Sequence, residues 1–546
     1  PCDEHAYLLA LAYFHNEEHW RARWHLTGSR LPEARYLLAK CCFRLRRWEE
    51  AEDALLLEPT AASAAEAVAN GAAGLFLLGQ IKEKQSQDCH AVECYAKCLD
   101  MCPFMWEAYE RLSWLILGSP SASRSFSSVA LATFTDERMA AALPAGRGAA
   151  SAARGAVARG EDRGEASGAA PPLPVRRSLL AEDLAPDKDG AGGDGSGEAL
   201  SLAQLLRKLG LAVHALHAFE CGQTLQLLRQ LPKRHYETGY VLYLVGVCHF
   251  EAANYAKAEE VFEQVWVAEP PRMEGLEIYS TALWHLRKDV VLGFLAQQVL
   301  RGNRQRPEVW CVVGNSFSLQ KEHDTAIRFF KRAIDIDPSF TYAYTLCGHE
   351  FVENEKFHKA IPMFEQALSI DSRHYNAWWG LGNIYHRQEE HENAKQHFEK
   401  ALKINKNNSV LRCSLGMVLE TLNNPLIALE HFDRAAGGEP PSGLAYFCKA
   451  RVLMGLERYE EALADLKRVR CLAPKEASVH FELGRAYMEL RQDWKALQHF
   501  TFALDLNQDC KDNNTISAHI ERLQGLAQPE PPEPAPAPRG GRAQAR

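Results

Sequence analysis

Large and small apolar residues alternate along the second half of the chain in a fixed order. Counting from Pro307, the order is Trp310, Gly314, Phe317, Ala326, Phe330, Ala333 and then Pro338. A step of 34 residues returns Tyr344, Gly348, Phe351, Ala360, Phe364 and Ala367, and a second step returns Trp378, Gly382, Tyr385, Ala394, Phe398 and Ala401. The frame runs on through Gly416, Ala428, Phe432, Ala435 and Pro440, then Tyr446, Ala450, Ala462 and Pro474, then Gly484, Tyr487, Ala496, Phe500 and Ala503. Upstream, Gly246, Ala258, Phe262 and Pro270 obey it, and residues 273–306 fill one degenerate unit. Eight units therefore start at 239, 273, 307, 341, 375, 409, 443 and 477.

Small residues at the eighth, twentieth and twenty-seventh positions let helices approach closely, and aromatics at the fourth, eleventh and twenty-fourth fill the remaining gaps. Proline at the thirty-second position ends the second helix, because it lacks the backbone donor and clashes with the preceding turn. This is the tetratricopeptide (TPR) pattern. One such hairpin cannot bury its apolar face alone, so the units must stack. The predicted fold is all-α: a TPR solenoid, a right-handed superhelix of helical hairpins, in two arrays joined by a disordered linker.

The first array is expected over 1–117. Leu8, Leu11, Tyr13, Trp20 and Trp24 suggest a first hairpin, and Tyr36, Leu37, Ala39, Trp48, Ala51 and Ala54 a second. Leu75, Gly79, Ala91, Tyr95, Cys98 and Pro103 fit the TPR frame. Residues 118–198 turn to Ala, Gly, Ser, Pro and Arg, too little apolar surface to offset the entropy of ordering, and are predicted to be the linker. Its proline-directed phosphorylation candidate is Ser119, before Pro120. The second array is expected over 199–510, with a degenerate ninth unit near Leu205. Residues 511–546 read as a helix end and a disordered Pro/Ala-rich tail. The first residue is proline, which implies a processed start or a fragment.

The chain has 546 residues, is 47% hydrophobic and 24% charged, and carries a formal net charge of -8. That balance offers no basic field for nucleic acid, and no apolar run of membrane-spanning length appears. Neither partner is expected. Of the fifteen cysteines, Cys94, Cys98 and Cys102 share a helix face near Cys89 and His90, but adjacent turns of one helix rarely close a tetrahedral site. They read as core thiols in a reducing compartment, with no metal and no cofactor. Phosphate-loop, HExxH and GxSxG motifs are absent. His323, His374, His386, His391 and His397 read as solvated or hydrogen-bonded residues on polar helix surfaces. Repeats account for almost all of the ordered chain, so no catalytic domain is expected.

Some residues go beyond what the repeat dictates. EIYSTALWHL from Glu277, GNSFSLQKEHDTAIRFFKRAI from Gly314, YAYTLCGHEF from Tyr342, HYNAWWGLGNIY from His374 and RYLLAKCC from Arg35 closely resemble the TPR subunit 3 family of the anaphase-promoting complex, over roughly three quarters of the chain. The resemblance implies a non-catalytic scaffold subunit of a cell-cycle ubiquitin ligase, resident in nucleus and cytoplasm, including spindle and centrosome. It implies a homodimer through the first array, contacts with other subunits of the complex, and a concave groove that binds C-terminal Ile-Arg tails of coactivators and of a core substrate-recruiting subunit. Asn315, Leu346 and His349 carry over as groove residues. Asn315 and His349 occupy the ninth position of consecutive units, where an amide and an imidazole can bond a peptide backbone or carboxylate. Leu346 can line an isoleucine pocket or pack between helices. A guanidinium needs an acidic partner, and Glu277 is the candidate. Trp379 and Asn383 extend the same surface or belong to a miscellaneous polar lining.

Two other readings compete. A chaperone-docking TPR adaptor grips a C-terminal carboxylate with a cationic clamp, but Cys311 and Trp379 stand at clamp positions here. A TPR-containing enzyme such as a glycosyltransferase requires a domain after residue 510, where this chain has a short proline-rich segment.

Overall fold

Helices begin and end where the repeat frame places them. The structure is a computed structural model and describes residues 3–56, 68–118, 202–438, 441–506 and 513–526. The expected linker with Ser119 and Pro120, the Pro/Ala-rich tail and Pro440 lie outside the described residues, apart from Gly118. Among the described residues there are 27 helices, and the β-pairing is one isolated bridge between Leu56 and Val68. No helix among them is long and apolar enough to cross a membrane. The chain divides into two compact units, 1–343 and 344–546.

The first unit opens with helices Asp3–His15, His19–Leu26, Pro32–Arg44, Trp48–Leu55, Gly71–Lys84, Asp88–Met101 and Trp106–Gly118. Leu202–His217 packs directly against Trp106–Gly118. There the Ser113 hydroxyl lies 3.0 Å from His214 Nδ1 and 3.2 Å from His217 Nδ1, and Trp106 Nε1 donates to the Tyr240 hydroxyl at 2.9 Å. The hairpins Gly239–Glu251 with Tyr255–Ala268, Leu276–His285 with Asp289–Arg301, and Pro307–Leu319 with His323–Ile336 follow.

The second unit holds the hairpins Tyr375–Arg387 with His391–Ile404, Ser409–Thr421 with Pro425–Ala436, Gly443–Gly455 with Tyr459–Leu472, and Ala477–Glu489 with Asp493–Leu506. Asn513–Leu526 lies over the last hairpin, burying Ile516 and Leu523 in the core of that unit.

Glycine at the eighth position is required by the aromatic at the twenty-fourth. A Cβ on Gly314 would sit 2.3 Å from the Phe330 ring, and one on Gly484 would sit 2.6 Å from Phe500. Both rings are fully buried, so the glycine face of the first helix is the seat of the second helix's ring. The turn between the helices is equally regular. Phe219, Ala253, Arg287 and Lys321 in the first unit, and Glu355, Glu389, Asn423, Glu457 and Arg491 in the second, all have φ between 53° and 63°. They recur every 34 residues, which puts the unit near Leu205 in frame. At Lys321 the left-handed residue closes the helix end, with its N–H donating to Ser318 O and the Glu322 N–H to Phe317 O.

Cys98 is buried, its thiol 3.2 Å from Ala72 O and from Met105 Sδ, and burial pushes it up to about 12. Among the described residues no three His, Cys, Asp or Glu side chains are placed to hold a metal. The histidines depart from the surface reading. His323, His374, His386, His391 and His397 are all half-buried, and His397 stacks on Tyr385 at 5.1 Å. Desolvation disfavours the imidazolium, lowering His386 and His397, and lowering His374 to about 4.

Candidate tail-binding surface

In the first unit, the second residue of helix Leu276–His285 is Glu277 and the second residue of helix Pro307–Leu319 is Glu308. First-turn carboxylates are ordinary at helix N-termini, where the dipole favours negative charge. These two are enclosed as well. Glu308 is 7% exposed and its Oε2 is buried with no hydrogen-bond partner. Part of the Glu277 side chain stays accessible, but its carboxyl is enclosed, accepts the Gly275 N–H at 3.2 Å, and lies in the field of Glu308 and Glu274. Loss of hydration outweighs the backbone hydrogen bonds and raises Glu277 from near 4.5 to about 8; Glu308 is raised for the same first reason. Among the described residues no cation pairs with Glu277; Arg272, nearby, is committed to Glu269 and Glu274.

Asn315 departs from the open groove position expected of it. It is 3% exposed, and its amide donates to Ser280 Oγ at 2.8 Å and Thr281 Oγ1 at 3.1 Å. Both hydroxyls donate in turn to the Glu277 carbonyl, at 2.8 Å and 2.9 Å, and the Tyr342 hydroxyl donates to Thr281 Oγ1 at 2.9 Å. The preceding helix supplies polar side chains that cover Asn315. The amide thus braces the backbone turn that carries Glu277. Glu308, Ser280, Thr281 and Tyr342 escaped the sequence reading. An acid after a first-turn proline and hydroxyls inside a helix have ordinary local explanations.

In the second unit, Leu346, His349, Trp379 and Asn383 are all half-buried. The His349 ring lies 5.1 Å from Phe364 and 5.6 Å from Trp379. Trp379 donates its Nε1 to Ser414 Oγ at 2.9 Å and packs on the core, so most of its ring serves the fold rather than an open surface.

Comparison with known proteins bears on what these surfaces serve. Residues 2–56 match the family described as anaphase-promoting complex, cyclosome, subunit 3. Residues 307–340, 348–409 and 447–509 match tetratricopeptide repeats. Anaphase-promoting complex subunit 3 of Schizosaccharomyces pombe is 41% identical over 323 residues, 59% of this chain and 48% of that protein. The chain is similar to anaphase-promoting complex subunit 3 over a little more than half of its length. Cell division cycle protein 27 homolog A of Arabidopsis thaliana is 44% identical over 329 residues, 60% of this chain and 46% of that protein. The human cell division cycle protein 27 homolog is 47% identical over 141 residues, 26% of this chain and 17% of that protein. The chain thus spans about half the length of the first two, and each alignment takes in somewhat less of it than the three quarters expected. A crystal structure of an APC/C hetero-tetramer, Cut9-Hcn1, superposes with a TM-score of 0.60 at 17% identity, covering 95% of this chain and 89% of that one, a likeness of fold.

Proposed function

We propose that the chain acts as the TPR subunit 3 of an anaphase-promoting complex, a non-catalytic scaffold in a cell-cycle ubiquitin ligase with nuclear and cytoplasmic residence. Its second array receives C-terminal Ile-Arg tails of coactivators and of a core substrate-recruiting subunit. The observation that carries this reading is the enclosed Glu277 and Glu308, with which no cation forms an ion pair among the described residues. A guanidinium supplies that charge with two parallel hydrogen bonds. Asn315 holds the turn beneath Glu277, and Leu346 and His349, in the second unit, keep the roles that the resemblance implies. A fluorescent peptide ending in Ile-Arg should bind saturably, and the amidated peptide and the Asn315→Ala, Leu346→Ala double variant should each weaken binding at least tenfold. No binding by a folded, helical sample leaves a TPR adaptor outside the ligase as the better reading.

The expected homodimer has an observation of its own. Leu8, Leu9, Trp20 and Trp24 are 61%, 45%, 61% and 77% exposed on the first two helices, a concentration of large apolar side chains suited to a second copy of the chain. Light scattering should give twice the chain mass, and Trp20→Asp with Trp24→Asp should give the monomer.

A further inference from the structure

We propose that the acidic pair Glu277 and Glu308 exchanges a proton for a cationic ligand, so that capture of an arginine side chain releases a proton to solvent and tightens as pH rises. The inference rests on the tail-receptor reading and adds a mode of regulation to that site.

Two carboxyls that approach each other away from water cannot both stay ionised without a counter-charge; one keeps a proton until a cation arrives. The surroundings of the pair meet that condition. Tyr243 from helix Gly239–Glu251 faces Glu277, as do Cys311 from helix Pro307–Leu319 and Tyr342, and all three remain neutral because burial raises them. Glu274, from the preceding turn, adds negative charge to both members of the pair, and Asp337 adds it to Glu308. Glu110 and Glu251 act on the tyrosines in the same sense. On the positive side stand Arg306, exposed and acting on Glu308, and Arg272, tied to Glu269 and Glu274. Among the described residues the buried Glu308 Oε2 has no hydrogen-bond partner, which leaves its accepting capacity unused. With Glu277 raised to about 8 before a cation arrives, its carboxyl is largely protonated at neutral pH. A guanidinium, which does not deprotonate in this range, forms its hydrogen bonds to the carboxylate and sends that proton to the buffer. The step is a balanced exchange of one positive charge for another.

The test is titration calorimetry of the full chain with a peptide ending in Ile-Arg, at pH 7 in two buffers of different ionisation enthalpy, repeated from pH 6 to 8.5. The expected result is release of close to one proton per peptide, with affinity rising by up to about tenfold per pH unit before levelling above pH 8. A peptide with citrulline in place of arginine should show no proton release. Glu277→Gln, with helicity checked by circular dichroism, should abolish the release even where weak binding persists. Tight binding without proton release, or with proton uptake, overturns the exchange and leaves the receptor reading intact. Absence of binding overturns both.

Discussion

Gly314 shows how a single side chain is chosen by its neighbour. The seat it provides for Phe330 leaves no room for a methyl group, since an added Cβ would approach the ring to 2.3 Å. Gly314→Ala is therefore expected to cost about 1–3 kcal/mol through forced displacement of a packed ring, read as a lower urea midpoint. Gly222→Ala, in a helix where nothing lies within 4 Å of the added methyl, should instead gain up to about 0.5–1 kcal/mol from reduced unfolded-chain entropy. Glu277 makes a second claim at this scale. Its folded value of about 8 exceeds its usual value near 4.5, so between those pH values the folded state holds the extra proton. Stability must then fall as pH rises from about 4.5 through 8 and level off above. Glu277→Gln should flatten that slope in urea titrations at pH 5, 7 and 8.5. Position 8 glycines were readable from sequence because the same residue recurs at the same offset. Glu308 was not, because its burial comes from neighbouring elements and its local context is that of any first-turn acid.

At the scale of the element, the hairpin turn is set by a non-glycine residue in the left-handed region. At Lys321, φ is 63°, a conformation that costs an L-residue roughly 1 kcal/mol. Lys321→Gly should raise stability by a few tenths to about 1 kcal/mol, and Lys321→Val, whose branched Cβ tolerates this region poorly, should lower it by at least as much; chemical denaturation of the two variants measures the difference. The hairpins themselves were legible because helix period and repeat period reinforce each other along hundreds of residues. The site was less so. Asn315 was placed by the family resemblance and its repeat position, but Ser280 and Thr281 on the preceding helix accept from its amide and Tyr342 donates to Thr281, and such contacts between helices of different repeats carry no signature in the frame. Likewise, the histidines read as surface residues are half-buried, a burial that the repeat frame does not encode.

Across the whole molecule, a stack of hairpins has ends that must be closed, since each unit buries its face on the next. In the second unit the helix Asn513–Leu526 closes the last hairpin by burying Ile516 and Leu523, with His519 stacked on Phe500 at 5.3 Å. Truncation after residue 506 should expose that face, so that amide exchange accelerates first in Ala477–Glu489 and Asp493–Leu506 and only weakly in the first unit. A uniform acceleration would mean that the repeats unfold as one block. The proposed receptor role for arginine-ended tails at Glu277 and Glu308 is tested by position. A peptide ending in Ile-Arg that carries a photo-crosslinker beside its arginine should label the segments 273–281 and 304–315 of the wild-type chain, and Glu277→Arg should abolish that labelling without loss of helicity. Labelling concentrated elsewhere, or unchanged in the Glu277→Arg variant, would contradict a tail-binding role for Glu277.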